Sequence, residues 1–439
     1  MDKMENKIEK VFEDFSRETV PQDKTKNWLS MGLIWAGVGI SLGLLLTGGT
    51  MGDGLTIKQT IVAAFIGGFV LALITLFIGI IGQRTGLSTA MISRFTFGNR
   101  AVFIIAFIQA LGSYGWFAVQ LGLFGRTSTT AWEMSTGLAG NEVVFILIGG
   151  FCMILTATLG YKGLEFLSKL AVPLLLLLMI GSVWKILQDN TFSEIMNLQG
   201  SGEPITIGLG ISMTISSFVV GAVVAPDVSR YASSAKDTIG AAIFAFFIIV
   251  PVVMLVGASM AQVTGTWDIV DIMIRLGWGL IAFIVLMLAQ WTSNDNNLYC
   301  SALGFAVIFR KFKKWHLTVI SGVLGIVLAL LGIYDSFTSW LIVLGVLIPP
   351  MGGVIAVDYY LFNGKHYITS KLDDLVNIRT LAITSWILGS TVSFITSYTS
   401  FTFTTVSAID GLLVAALVHY IGMKFIYKGS SDEMFVKVK

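Results

Sequence analysis

The chain has 439 residues, of which 55% are hydrophobic and only 12% are charged, and its net charge is +2. The charged share is about half that of an average soluble domain, so a water-soluble fold could not cover its own surface with polar groups. The near-zero net charge gives no reason to expect nucleic-acid binding. The two cysteines, Cys152 and Cys300, form neither a disulfide framework nor a metal-ligand spacing.

Long uncharged apolar runs recur along almost the whole chain, and about 20 apolar residues suffice to cross the hydrocarbon layer of a bilayer. These runs predict one all-α membrane domain with twelve transmembrane spans. In chain order, spans 1 to 12 are predicted at residues 29–50, 58–82, 100–124, 142–160, 164–187, 205–226, 238–262, 277–299, 317–333, 338–361, 380–398 and 402–427. The polar first 27 residues lack the apolar core of a cleavable signal peptide.

The basic residues predict how the spans are oriented. With both termini on the cytoplasmic side, 24 of the 28 Lys and Arg residues fall in cytoplasmic segments. Such an excess is typical of cytoplasmic loops. With an odd number of spans, these basic residues would no longer fall on one side of the membrane. We therefore expect a multi-pass protein of the cell membrane with both termini in the cytoplasm.

Four apolar residues ahead of span 1 follow a helical spacing: Ile8, Val11, Phe12 and Phe15. The spacing predicts a short amphipathic helix that lies on the inner leaflet. A disordered tail is the alternative, because a short isolated helix is only marginally stable in water.

Spans 1 and 6 carry helix-weakening residues in corresponding positions. Span 1 contains Gly37, Gly39, Gly43, Gly48 and Gly49, and span 6 contains Ser216, Ser217 and Gly221 ahead of Pro226. Glycine and proline weaken helices, and interrupted helices at matching positions point to a binding site at the membrane midplane. Two such spans, five apart, fit an inverted five-plus-five repeat. The alternative is that the glycines only let the helices pack closely.

One face of span 3 is polar and aromatic, with Gln109, Ser113, Trp116 and Gln120 at helical spacing. An indole face can stack on a flat heterocycle while amides hydrogen-bond the edge of the ring. We therefore predict that this face binds a planar, uncharged substrate. Trp116 could otherwise anchor the helix at the membrane interface, but its position in mid-span disfavours that role.

Span 8 contains an unusually polar stretch from Gln290 to Asn297. Polar groups are costly in lipid and normally face a bundle interior or a cavity. The hydroxyls of Thr292 and Ser293 are hard oxygen ligands that suit Na⁺. Hydrogen bonding between helices is the alternative for some of these residues. Asp295 fits either a cation or proton site or a pairing with a basic residue.

Other ionisable residues in or near the spans are predicted to have structural roles. Asp358 near the inner end of span 10, and Asp227 with Arg230 at the inner end of span 6, are expected to pair and brace the inner side. Asp410 in span 12 is expected to snorkel or to pair. No ligand role is predicted for the three histidines near the cytoplasmic boundary, His316, His366 and His419.

Several stretches together resemble the nucleobase–cation symporter family, in particular its cytosine/purine permease branch, over nearly the whole chain. They are residues 47–50, 115–117, 217–218 with Asp227, 291–296 and 349–359. The resemblance implies twelve helices, a leucine-transporter-type inverted repeat and alternating access coupled to Na⁺ or H⁺. The repeats would lie at about 28–188 and 205–361 within a transporter domain at 28–428, with extra helices at 380–427 and cytoplasmic segments at 1–27 and 429–439.

The resemblance also implies a set of site residues. Trp116 matches the family's stacking aromatic residue on helix 3, and Phe218 matches the aromatic residue on helix 6 that closes the other side of the substrate. Further substrate contacts are implied for Gln120, Asn294, Ser113, Ser41 and Ser217. The implied Na⁺ site uses the backbone carbonyls of Gly37, Ile40 and Ala289 and the hydroxyls of Thr292 and Ser293.

The chain departs from the cytosine permeases of this family at three polar positions. Those proteins have Gln, Asn and Ser where this chain has Ser113, Ala289 and Val220, whereas Gln120 and Gln290 are additional polar groups. A polar substrate edge that is left unpaired is strongly rejected. A purine, hydroxymethylpyrimidine, hydantoin or allantoin-like solute is therefore nearly as plausible a substrate as cytosine.

We therefore expect a monomeric secondary active transporter, not an enzyme, that imports a nucleobase-like heterocycle by Na⁺ or H⁺ symport. A passive channel, the main alternative, would show flux that is independent of any ion gradient. A membrane-embedded enzyme would need a nucleophile–base pair or a metal triad, and neither pattern is found. An amino-acid transporter of the same fold would need charged partners, whereas the polar face of span 3 is neutral.

Overall fold

The computed structural model describes residues 25–159, 161–309, 311–312, 314–428 and 434–435. Within these residues the chain is almost entirely helical, and its β-structure consists of three isolated bridges. The predicted N-terminal amphipathic helix at residues 8–15 lies outside the described residues. The all-α membrane class is confirmed, because seven described helices are long and apolar enough to cross a membrane.

Helix occupies every segment in which a span is predicted. The bounds are Trp28–Gly39 and Leu42–Gly54 in span 1, Ile57–Thr85 in span 2, Val102–Thr136 in span 3, Glu142–Leu159 in span 4, Tyr161–Asp189 in span 5, Ile207–Val223 in span 6, Ala235–Ala242, Ile243–Ile249 and Val250–Thr264 in span 7, Gly279–Ile308 in span 8, Lys314–Leu330 in span 9, Phe337–Leu347 and Pro349–Val357 in span 10, Thr380–Tyr398 in span 11, and Ser407–Ile421 in span 12.

Span 1 is interrupted at Ile40 and Ser41, as the sequence predicts. Ile40 has φ −80° and ψ 75°, and Ser41 is extended with φ −131° and ψ 153°. The Ser41 N–H donates to the Gly39 carbonyl at 2.9 Å, whereas in a continuous helix it would donate to Gly37. The break therefore frees the Gly37 carbonyl from its usual helical donor.

The predicted break within span 6 is wrong. Its helix runs without a break through Ser216, Ser217 and Gly221 and ends at Val223. A one-turn helix, Pro226–Ser229, follows with proline in its first turn. Proline has no N–H with which to continue a helix, so it marks the end of span 6 and does not interrupt it.

The outer half of span 1 packs backbone to backbone against span 7. A Cβ atom on Gly48 would overlap the carbonyl oxygen of Met254, and one on Gly257 would overlap the carbonyl oxygen of Leu45. Only glycine permits so close an approach. Close packing thus explains the glycines in the half of span 1 that follows the break. The break itself, at Ile40 and Ser41, lies closer to the middle of span 1.

Span 12 begins later than predicted, at Ser407, because the preceding residues surround a buried carboxylate. Asp410 accepts hydrogen bonds from the Thr402 hydroxyl at 2.7 Å and from the Thr404 hydroxyl at 2.6 Å. The Thr404 N–H donates to the same carboxylate at 2.9 Å. Asp410 therefore neither snorkels nor pairs with a base here: it orders the connection between spans 11 and 12.

A buried ionic network joins the end of span 10, the start of span 11 and the end of span 12. Arg379 donates to both carboxylate oxygens of Asp358, each at 2.7 Å, and both side chains are fully buried. His419 Nε2 lies 3.1 Å from Asp358 Oδ1, and Tyr367 donates its hydroxyl to Asp358 Oδ2 at 2.6 Å. Asp358 thus pairs as predicted, with Arg379. It also contacts His419, for which the sequence suggested no partner.

A short helix that the sequence analysis did not predict, Thr89–Phe97, lies between spans 2 and 3 and is held at both ends. At its start a backbone N–H donates to Asp227 Oδ1 at 2.8 Å. At its end Arg379 donates to the carbonyls of Phe95 and Thr96 at 2.9 and 3.1 Å. Negative groups suit the start of a helix and positive groups suit its end, so both contacts are favourable.

We predict that Arg379→Met lowers stability by about 3–5 kcal/mol, because it leaves the buried Asp358 carboxylate without its bidentate counter-charge. The measurement is thermal unfolding of the purified protein in detergent. Lys365→Met, at an exposed position on the same inner side, is the control and should unfold as the wild type does. Equal unfolding temperatures for the two variants would contradict a stabilising role for the ion pair.

Candidate functional site

The break in span 1 lies between two aromatic contacts. After the break, Gly43 faces the Trp116 indole so closely that a Cβ atom on Gly43 would lie 3.0 Å from Trp116 Cζ3. Before the break, the Trp35 ring packs edge-on against the Phe218 ring, with centroids 6.3 Å apart. The two aromatic residues implied as the substrate sandwich therefore contact span 1 on opposite sides of Ile40 and Ser41.

Each of these aromatic residues has a second ring as a neighbour. Phe337 of span 10 packs edge-on against Trp116 at a centroid distance of 5.6 Å. Phe246 of span 7 lies 5.1 Å from Phe218. No ring contact joins Trp116 to Phe218 among the described residues, and both side chains are half-buried. Each of the two rings thus packs against a ring from another span.

Spans 3, 6 and 10 meet one turn from Trp116. A Cβ atom on Gly112 would lie 2.9 Å from Val220 of span 6 and 3.5 Å from Leu344 of span 10. Val220 is one of the three positions at which the resemblance implies a polar residue in the cytosine permeases. Its apolar side chain packs against span 3 at Gly112.

Three buried amides between spans 3 and 8 have oxygen atoms without a donor. Asn294 donates to the Phe117 carbonyl at 3.1 Å, and Gln290 donates to the Thr127 hydroxyl at 3.1 Å, yet Asn294 Oδ1 and Gln290 Oε1 accept nothing. Gln120 Oε1, on the same face as Trp116, is also buried and unpaired. Buried polar atoms without partners are uncommon in proteins. These oxygens can accept hydrogen bonds from N–H groups of a solute.

The serines implied as substrate contacts differ in their surroundings. Ser41 lies at the break itself, and both it and Ser113 are half-buried. Ser217 is buried and donates its hydroxyl to the Thr214 carbonyl of its own helix at 2.8 Å. Ser41 and Ser113 are therefore the better placed of the three to meet a solute.

The implied Na⁺ ligands fall on span 8 and on the end of the first half of span 1, at Gly37 and Ile40. The second half of span 1, which begins directly after the break, contacts span 8. On span 8 the Thr292 hydroxyl donates to the Ala289 carbonyl at 3.0 Å, which brings two of the five implied oxygens together. Both residues are buried, and Ser293 is half-buried. On span 1, the implied Gly37 and Ile40 carbonyls belong to the interrupted segment. This donor set, made of neutral oxygens, fits a hard monovalent cation.

Asp295 has a hydroxyl partner in the structure and not a basic one. Its Oδ1 accepts from the Thr156 hydroxyl of span 4 at 2.7 Å, and the Trp291 indole N–H donates to the same hydroxyl oxygen at 3.1 Å. The side chain is fully buried. Asp295 points to span 4, whereas its neighbour Asn294 points to span 3. It therefore lies away from the ring contacts around the break.

Other ionisable residues lie outside the group gathered around span 1. Arg230 donates through Nε to the Asp227 carbonyl at 3.3 Å and lies over the Tyr231 ring. His316 stacks on Trp315 at 3.7 Å. These contacts are at the inner ends of their spans and serve packing.

Sequence reasoning missed four aromatic residues that complete the surroundings of the site: Trp35, Phe246, Phe337 and Trp340. Each lies in a strongly apolar span, where the sequence around an aromatic residue looks the same whether its side chain faces the bundle or the lipid. The rotation of the helix about its axis determines which way the side chain faces, and packing against the neighbouring helices sets that rotation.

An apolar all-helical domain, a first span broken in mid-helix, and aromatic and amide side chains around that break define a multi-pass membrane transporter. The family described as permease for cytosine/purines, uracil, thiamine and allantoin matches residues 19–421, and the chain belongs to this family.

Known relatives span most of the chain. It is 34% identical over 376 residues to the cytosine permease of Escherichia coli (strain K12), which covers 86% of this chain and 88% of the relative. It is 22% identical over 429 residues to the hydantoin permease of Microbacterium maritypicum, covering 91% and 86%. The structure of MHP1, a nucleobase-cation-symport-1 family transporter in a closed conformation with bromovinylhydantoin bound, shares the fold with a TM-score of 0.77 at 20% identity, covering 95% of this chain and 97% of that one.

We predict that Gln120→Met leaves the ligand-free protein as stable as the wild type, or more stable by about 1 kcal/mol, because it removes a buried amide whose oxygen has no donor. Gln262→Met is the matched control: the Gln262 oxygen is also buried without a donor, but its amide N–H donates to the Leu55 carbonyl at 2.8 Å and holds span 7 to the end of span 1. The control should be destabilised. Thermal unfolding without ligand measures both, and a similar loss in the two variants would mean that Gln120 has a structural role.

Proposed function

We propose that the chain imports a nucleobase or a related small planar heterocycle across the cell membrane by cation symport, with the ring stacked between Trp116 and Phe218. The observation that carries the proposal is the break in span 1, which lies between the packing contacts of these two side chains. A solute there would meet two aromatic faces and the open backbone at Ile40 and Ser41. Such a site suits a flat ring with a polar edge.

The unpaired amide oxygens support a solute that has N–H donors. Gln120 and Asn294 each present a buried acceptor beside the face of span 3 that carries Trp116. Cytosine, purines, hydantoins and allantoin all have such donors. The apolar Val220 and Ala289 replace polar groups of the cytosine permeases, so a hydantoin- or allantoin-like solute is the second candidate, and the hydantoin permease among the relatives favours it.

We propose Na⁺ as the coupling ion, bound between the break in span 1 and span 8. The Gly37 carbonyl, freed from its helical donor, and the Ile40 carbonyl would approach from one side. Ala289, Thr292 and Ser293 would approach from the other. The solute and the ion would both contact span 1, so binding of each would stabilise the closed conformation that also binds the other. This coupling between the two binding events would produce symport.

The proposed architecture has twelve spans, with spans 1–5 and 6–10 as inverted repeats and spans 11 and 12 added. Both termini lie in the cytoplasm of a monomer, as the distribution of Lys and Arg predicts. A thermal-shift screen of the purified protein against nucleobases, hydantoins and amino acids, with and without Na⁺, tests the substrate class. Stabilisation by amino acids alone would overturn it.

We predict that Trp116→Ala abolishes uptake of the stabilising heterocycle while leaving membrane insertion intact, because stacking on one side of the ring is lost. Base–aromatic stacking is worth about 1–3 kcal/mol in other proteins. Trp132→Ala is the matched control on the same helix, since Trp132 is 43% exposed and remote from the break. The measurement is uptake of radiolabelled solute into proteoliposomes that contain equal amounts of protein. Wild-type uptake by Trp116→Ala would contradict the stacking role.

We predict that Thr292→Ala combined with Ser293→Ala raises the Na⁺ concentration for half-maximal uptake by at least about tenfold, because two oxygen ligands are removed. Thr391→Ala on span 11 removes a hydroxyl that bonds only to its own helix at Ile387 and should leave the Na⁺ dependence unchanged. Uptake that persists without Na⁺ and collapses with a protonophore would show that the Na⁺ assignment is wrong.

A further inference from the structure

Trp340 of span 10 lies directly beside the stacking residue of span 3. Its indole abuts Gly115, the residue before Trp116, so closely that a Cβ atom on Gly115 would overlap the ring. The indole atom Cε2, which is bonded to Nε1, would lie 2.6 Å from that Cβ position. One turn earlier on span 10, Phe337 packs against the Trp116 ring. Span 10 therefore presents two aromatic side chains to this part of span 3.

The indole N–H of Trp340 is buried and has no acceptor among the described residues. Three other tryptophans have one: Trp386 donates to the Leu347 carbonyl at 2.9 Å, Trp278 to the Ser182 hydroxyl at 3.0 Å, and Trp291 to the Thr156 hydroxyl at 3.1 Å. A buried indole N–H usually finds an acceptor, and leaving it unpaired costs about 1–3 kcal/mol. The unpaired donor at Trp340 therefore needs an explanation.

Spans 3 and 8 also carry acceptors that lack donors among the described residues. Gln120 Oε1 and Asn294 Oδ1 are buried and unpaired. A solute that used the Trp340 donor together with these acceptors would need both a hydrogen-bond acceptor and N–H donors on its ring. A cyclic amide, in which a ring carbonyl stands next to a ring N–H, has this combination.

We propose that Trp340 is a specificity residue whose Nε1–H donates to a ring carbonyl oxygen of the substrate, so that the site selects cyclic amides over heterocycles that lack a carbonyl. The inference rests on the proposed function and extends it, because it adds span 10 to the binding site and specifies one feature of the cargo. Trp340 would close on the solute together with Phe337, since both side chains lie on the same face of span 10.

The test compares probes that differ by one ring amide, that is, by a carbonyl and its adjacent ring N–H. Dissociation constants are measured for cytosine and 4-aminopyrimidine, and for hypoxanthine and purine, with the purified protein in detergent and Na⁺. Trp340→Phe keeps an aromatic ring and removes the donor. Trp386→Phe, which removes an indole N–H that is bonded to the backbone, is the matched control.

We expect Trp340→Phe to weaken binding of the carbonyl-containing probe by about tenfold, the effect of one lost hydrogen bond, and to leave binding of its carbonyl-free counterpart unchanged. Its unfolding temperature without ligand should match that of the wild type, whereas Trp386→Phe should unfold earlier. Equal affinity of Trp340→Phe and the wild type for the carbonyl-containing probe, or an equal loss for both members of a pair, would overturn the inference.

Failure of the inference can be told apart from failure of the proposed function. If the wild type binds none of the four probes, the nucleobase cargo is wrong and the role of Trp340 falls with it. If Trp340→Phe does not fold, the indole N–H resonance of Trp340 in ¹⁵N-labelled wild type, assigned with Trp340→Tyr, supplies the measurement. It should move on addition of hypoxanthine and not on addition of purine, and an equal response to both would also refute the proposal.

Discussion

Inside hydrocarbon, every backbone N–H and C=O group needs a hydrogen-bond partner, and the rest of this fold depends on that constraint. Continuous helices satisfy it along most of the chain. Span 1 departs from it at Ile40 and Ser41, within the packed bundle and between its contacts to Trp116 and Phe218. Open backbone polar groups are therefore placed beside aromatic faces. We propose that a flat polar solute and a cation use both.

The polar side chains of the spans form two groups that differ in how fully they are hydrogen-bonded. Asp358 and Asp410 each accept several hydrogen bonds, and they hold the inner and outer ends of spans 10 to 12. Gln120, by contrast, has a buried oxygen without a donor, and Trp340 has a buried donor without an acceptor. A fully bonded group stabilises the fold by itself. An unpaired one makes the ligand-free protein less stable, and we propose that a ligand completes those at Gln120 and Trp340.

The sequence predicts much of this arrangement because hydrocarbon thickness fixes how long an apolar run must be. It also predicts the break in span 1, since glycine weakens a helix wherever it lies. It does not predict that span 12 starts at Ser407, because the preceding residues turn toward Asp410, which only the folded chain brings near them. Nor does it single out Trp35 or Trp340. One aromatic residue in an apolar helix resembles another until neighbouring helices fix its rotation.

The helix Thr89–Phe97 links two spans that are distant in the sequence. Asp227 holds one of its ends to the end of span 6, and Arg379 holds the other to the start of span 11. If these ends of the two spans separated, at least one of these hydrogen bonds would have to break. The short helix therefore resists that separation, and any movement that preserves both bonds has to carry the two spans and the short helix together as a single rigid body.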